Sequence, residues 1–92
     1  MSDDPLAEIR KRFRHRALAD AEALSDALKA RDFEAIEMVS HGLAGAAGLF
    51  GFTGIGDAAK AMDQQFAEGR PPSPAEIEAL IATIRRDMDA YS

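Results

Sequence analysis

Apolar residues recur at three- and four-residue spacing along almost all of this 92-residue chain, and short groups of helix-breaking residues interrupt the pattern. That spacing marks one face of an α-helix. No stretch alternates β-branched with aromatic residues, so strands have little sequence to form from. Asp3 and Asp4 before Pro5 read as an N-cap with proline at the first helical position. Leu6, Ile9, Phe13, Ala17, Ala21, Leu24 and Leu28 then predict one helix over about 5–30. Arg31 and Asp32 connect it to a second helix over about 33–50, with Asp32 as cap and Phe33, Ile36, Val39, Leu43, Ala47 and Phe50 as stripe. The stretch Gly51-Phe52-Thr53-Gly54 breaks the chain again, with Thr53 a candidate N-cap. A third helix follows over about 54–68, burying Ile55, Ala58 or Ala59, Met62 and Phe66. Gly69 and the run Arg70-Pro71-Pro72 end it. Ser73 with Glu76 forms a capping box around Pro74 and opens the fourth helix, whose stripe is Ile77, Leu80, Ile81, Ile84, Met88 and Tyr91.

Each of these helices has one apolar face and must bury it against the others, and short connections favour antiparallel neighbours. The expected fold is therefore all-α, an up-and-down antiparallel four-helix bundle forming one domain over residues 1–92. Composition agrees: 47% hydrophobic and 29% charged residues are a globular balance. The net charge of −5 argues against nucleic acid, whose binders draw their affinity from positive charge. The absence of cysteine removes disulfides, thiolate chemistry and cysteine-based zinc sites. No apolar segment resembles a signal peptide or a membrane span. A cytoplasmic monomer that binds no membrane is expected, and the start at Met1 with a complete four-helix pattern favours a free-standing protein.

The second helix contains an anomaly. Gly42, Gly45 and Gly48 all lie in its interior, where they cost roughly 2–3 kcal/mol together relative to alanine. Small residues at a helix contact usually face the core. At 100° per residue, however, His41 lies about 160° from the apolar stripe, and Gly45 and Gly48 lie within about 40° of His41. Ala44 flanks the same side, whereas Gly42 points to a flank where packing against another helix would also explain it. An imidazole on a surface stripped of bulk for two turns suits an approach by something large.

The run His41-Gly42-Leu43-Ala44-Gly45-Ala46-Ala47-Gly48, with Gly51, resembles the signature of histidine-containing phosphotransfer (HPt) domains, roughly His-x-Leu-Lys-Gly-Ser/Ala-Ala/Ser followed by small residues. The four-helix pattern extends the likeness over nearly the whole chain. The resemblance implies a phosphorelay intermediate: a phosphocarrier that accepts a phosphoryl group on His41 from the aspartate of a receiver domain and passes it to another. Its implied partners are response-regulator receiver domains and a hybrid sensor histidine kinase. Mg²⁺ is expected in the receiver, and no cofactor in this chain. It also implies a partner-docking face around Ala44, Gly45 and Gly48. Family members often place a glutamine or an acidic residue on the next helix, within reach of the histidine's other ring nitrogen. Counting along the third helix brings Asp63 there, with Gln64 and Gln65 adjacent. One position departs from the pattern: the usual lysine three residues after the histidine is Ala44 here, and no replacement cation is evident on that helix face.

Other classes remain as alternatives. A phosphorylation-independent helical adaptor could dock a partner through the glycine face, and a phosphoacceptor module of a chemotaxis-type kinase would share the fold. The chain has no phosphate-binding loop and no kinase motif, so drawing phosphate from ATP is not expected of it. The basic run Arg10, Lys11, Arg12, Arg14 and Arg16 reads as a solvated face or as a docking patch for an acidic partner. His15, within that run, lies opposite the core and has no ligand-like neighbour except His41, so no metal site is expected.

Overall fold

Helices α1 (Ala7–Ala30), α2 (Phe33–Leu49), α3 (Thr53–Ala67) and α4 (Pro74–Tyr91) account for nearly all of the computed structural model, which describes residues 4–91. They form the expected all-α four-helix bundle. α1 packs against α2 and α4, α3 packs against the same two, and the backbones of the diagonal pairs stay apart. Consecutive helices joined by short turns thus run antiparallel around a ring.

The caps explain the boundaries. Asp32 accepts a hydrogen bond from the Ala35 amide at the start of α2. Ser73 and Glu76 exchange side chain-to-backbone bonds at 3.2 Å in both directions, which is the capping box read from sequence. Two N-termini differ from expectation. The Asp3 part of the first cap lies outside the described residues. Asp4 accepts from the Leu6 amide at 2.9 Å and Pro5 sits in a preceding turn, so α1 begins at Ala7 rather than at Pro5. Thr53 is the first residue of α3 and not its cap; Phe52 precedes it and makes no side-chain cap. At the other ends, α1, α2 and α3 close alike. A residue of positive φ (Arg31, Gly51, Gly69) is followed by an amide that reaches back five residues, as from Asp32 to Ala27, Phe52 to Ala47 and Arg70 to Gln65. Two of the three are glycine, for which this conformation is free of Cβ strain.

The core consists largely of the predicted stripes. Phe13, Ala17, Ala21 and Leu24 of α1 meet Ile36, Leu43 and Ala47 of α2, Ile55, Ala59 and Met62 of α3, and Ile77, Leu80, Ile81, Ile84 and Met88 of α4. Between the two α3 alanines, Ala59 is fully buried and Ala58 only partly. Val39, Phe33 and Phe50 are half-buried flank residues. Leu6 and Ile9 are exposed; Leu6 precedes α1 and, with Arg10, borders a shallow hollow against Leu49, Phe50 and Gly51 at the end of α2. Phe52, which the sequence left in a break, stacks on Phe13 with ring centres 5.0 Å apart and meets Tyr91 edge-on at 5.3 Å. These contacts close one end of the bundle. Arg14, from the basic run, donates from Nε to the Met88 carbonyl at 3.0 Å and so satisfies an acceptor in the last turn of α4.

Candidate functional site

The rotation of α2 about its own axis decides what its glycine face presents. Ile36, Ser40, Leu43 and Ala47 are all fully buried. The Ser40 hydroxyl, sealed in the core, donates to the Ile36 carbonyl at 2.8 Å, so its burial leaves no polar group unsatisfied. With those residues inward, His41 turns outward, and its side chain is 79% exposed. Gly45 and Gly48 are exposed one and two turns further along, and a Cβ built on either would meet nothing within 4 Å. Ala44 is half-buried on the flank towards α3. Gly42 differs from the other two: a Cβ there would come within 2.8 Å of Arg16 Nη2. It sits on the flank facing α1, against the end of an arginine side chain of that helix rather than against its backbone.

α3 comes close to α2 because Gly56 faces it. A Cβ on Gly56 would stand 3.3 Å from the Gly48 amide nitrogen and 3.7 Å from the Ala47 Cβ. The two backbones therefore approach nearly to contact. Gly56, buried at this seam, was not singled out by the sequence reading. Its signal was available: it sits one residue after Ile55 and three before Ala59, both on the core stripe. Seven residues beyond Gly56 along α3, Asp63 places Oδ2 3.1 Å from Nδ1 of His41. Gln65 instead bonds to Glu76 of α4, so of the acidic and amide residues considered on α3, Asp63 meets the imidazole.

The surroundings of His41 are acidic. Glu34, Glu37, Met38 and Asp63 line a shallow hollow beside it. Met38 and Leu49 project from α2 with about three quarters of their surface exposed, adding apolar area to an otherwise small or acidic face. On the α1 side, Arg16 Nε lies 3.5 Å from Asp20. Burial pushes the Asp20 carboxyl above its usual range, and the nearby Arg16 charge pulls partly against that. His15 is exposed on α1. Among the described residues, no three His, Asp or Glu side chains are grouped so as to hold a metal ion, and no helix is long and apolar enough to cross a membrane.

The arrangement can do one kind of chemistry readily. A neutral imidazole that donates Nδ1–H to a carboxylate has its lone pair on Nε2; the His41 ring is largely exposed, with the open Gly45 and Gly48 one and two turns further along. An imidazole so exposed is open to a group presented by another molecule.

The family model described as Hpt domain matches residues 8–91. No curated protein and no solved structure gives a significant match. The match runs from the first turn of α1 to the last residue of α4, and it covers the bundle and the glycine-bearing helix together. The chain belongs to the Hpt domain family, the phosphocarrier modules, not kinases, that move phosphoryl groups through a histidine in phosphorelay signalling.

Proposed function

We propose that this protein is a phosphorelay intermediate with His41 as its phosphoacceptor. The observation that carries the reading is the His41 Nδ1 to Asp63 Oδ2 contact at 3.1 Å on an imidazole that is otherwise open to solvent. Asp63 holds the proton on Nδ1, so the Nε2 lone pair faces an incoming aspartyl phosphate. Nε2 attacks phosphorus, the N–P bond forms, and the P–O bond to the receiver carboxylate breaks with its electron pair leaving on oxygen. No proton need be lost, because the imidazole keeps Nδ1–H and becomes cationic as its charge builds beside Asp63. Passage to a second receiver is the reverse reaction with a different carboxylate.

Gly45, Gly48 and Ala44 form the face on which the receiver docks, and the exposed Met38 and Leu49 extend it with apolar area. The chemistry also needs a divalent cation on the phosphoryl oxygens. The receiver's acidic pocket supplies it; among the described residues no group of three His, Asp or Glu side chains would hold one. The partners are response-regulator receiver domains and a hybrid kinase that carries one.

The test is incubation of the purified protein with a phosphorylated receiver and Mg²⁺. An acid-labile, base-stable phosphate that appears on the parent and not on His41→Gln supports the reading. Binding of the receiver by both proteins with no phosphate ever transferred would instead support a docking adaptor.

A further inference from the structure

Two contacts fix the register between α2 and α3. His41 meets Asp63, and Gly48 meets Gly56. The first members are seven residues apart on α2 and the second members seven apart on α3, in opposite directions. Three residues along from the first contact, Ala44 therefore stands level with Lys60. Lys60 lies about 60° around α3 from Asp63 and about 160° from the buried Met62, so it emerges on the solvent side of the seam, above Asp63. It is exposed, and among the described residues no carboxylate lies within ion-pair distance of it. Across the seam from it, Ala44 offers only a methyl group, which leaves the space over this part of α2 open to a four-carbon ammonium stem.

The chemistry of the site calls for such a cation. Glu34, Glu37 and Asp63 already surround His41, and a phosphoryl group adds about −1.5 to −2 more charge. Arg16, the cation that reaches α2 from α1, is on the wrong flank. It lies over Gly42, about 100° around α2 from His41 on the α1 side. The imidazole leans the other way, to Asp63, and Arg16 Nε faces Asp20 at 3.5 Å.

We propose that Lys60 is a phosphoryl-binding residue: its ammonium reaches across Ala44 to the oxygens of the phosphoryl group on His41 and offsets their charge. The proposal rests on the phosphocarrier reading, and its test keeps the two apart. Phosphoramidate phosphorylates accessible histidine without any partner, so it can load the parent, Lys60→Gln, Lys60→Arg and Arg16→Gln. ³¹P NMR then follows, against pH, the phosphohistidine resonance that His41→Gln lacks. Loss of the ammonium in Lys60→Gln raises the phosphoryl group's pKa by roughly 0.2–0.7 unit, the span set by an exposed ion pair. It also slows acceptance from a phosphorylated receiver, by up to about fivefold. Lys60→Arg keeps both values near the parent's, Arg16→Gln leaves the phosphoryl titration unchanged, and added salt shrinks the parent-to-Lys60→Gln difference. A Lys60→Gln titration that superimposes on the parent's, or one that moves with Arg16→Gln instead, overturns the role of Lys60 while leaving phospho-His41 intact. A parent that takes no phosphate on His41 overturns the phosphocarrier reading and this proposal with it.

Discussion

His41 presents its ring to solvent and commits one nitrogen to Asp63. The two residues therefore make separable predictions. His41→Gln should leave the thermal unfolding midpoint within a few degrees of the parent's, since an exposed surface position contributes about ±0.5 kcal/mol, while phosphate incorporation disappears. A midpoint that collapses would make the histidine structural. Asp63→Ala should leave helix content unchanged and slow acceptance from the receiver moderately. The ¹⁵N spectrum of His41 should show a mixture of tautomers where the parent shows Nδ1–H; an unchanged spectrum would mean that Asp63 does not set the tautomer. His41 was legible from sequence because helical geometry alone puts it opposite the apolar stripe. Asp63 was reached by carrying the family pattern along α3 by count, and the structure puts it on the imidazole; helical periodicity alone does not decide between it and the adjacent Gln64 and Gln65, because a contact between two helices depends on their separation and register.

The α2–α3 seam is where one residue type does two opposite things. Gly45, exposed with nothing near a built Cβ, carries only the propensity penalty. Gly45→Ala should stabilise the protein by about 0.5–1 kcal/mol, read by denaturant unfolding. Gly45→Glu should fold and yet slow transfer from the receiver sharply, by adding bulk and negative charge one turn from His41. Transfer at the parent rate would remove Gly45 from the docking face. Gly56 lies against the Gly48 backbone instead. Gly56→Val should destabilise by about 1–3 kcal/mol through overpacking, and by parting the helices it should also disturb the His41 tautomer, an effect that Gly45→Ala lacks. A Gly56→Val protein as stable as the parent would contradict the close approach. Periodicity separated these glycines from the core stripe but could not tell an open glycine from one pressed on a neighbouring backbone. Gly42, against the end of the Arg16 side chain, is a third case that only the partner helix reveals.

Across the whole molecule, the bundle is closed by its turns and one aromatic end. Glu76, in the capping box, is held below the usual carboxylate range by hydrogen bonds from Gln65 and from the Ser73 backbone and hydroxyl. A carboxyl whose folded pKa is depressed stabilises the fold above its unfolded value of 4.5, and that contribution fades as pH falls through the lower folded value. The stability gap between the parent and Glu76→Ala should accordingly be largest near neutral pH and narrow as the solution is acidified below the unfolded value. A gap independent of pH would show that the carboxylate's charge is not what caps α4. The four helices, most of their stripes, the Asp32 cap and the capping box were legible in the sequence because each depends on residues within one or two turns of one another. The exposure of Leu6 and Ile9, the Phe13–Phe52–Tyr91 cluster and the register of α2 against α3, which closes the His41–Asp63 contact and sets Lys60 level with Ala44, were decided only by the tertiary structure. The reason is physical: periodicity says which side of each helix is apolar, but how far one helix slides along another is set by where backbones can touch, and here by a single buried glycine at position 56.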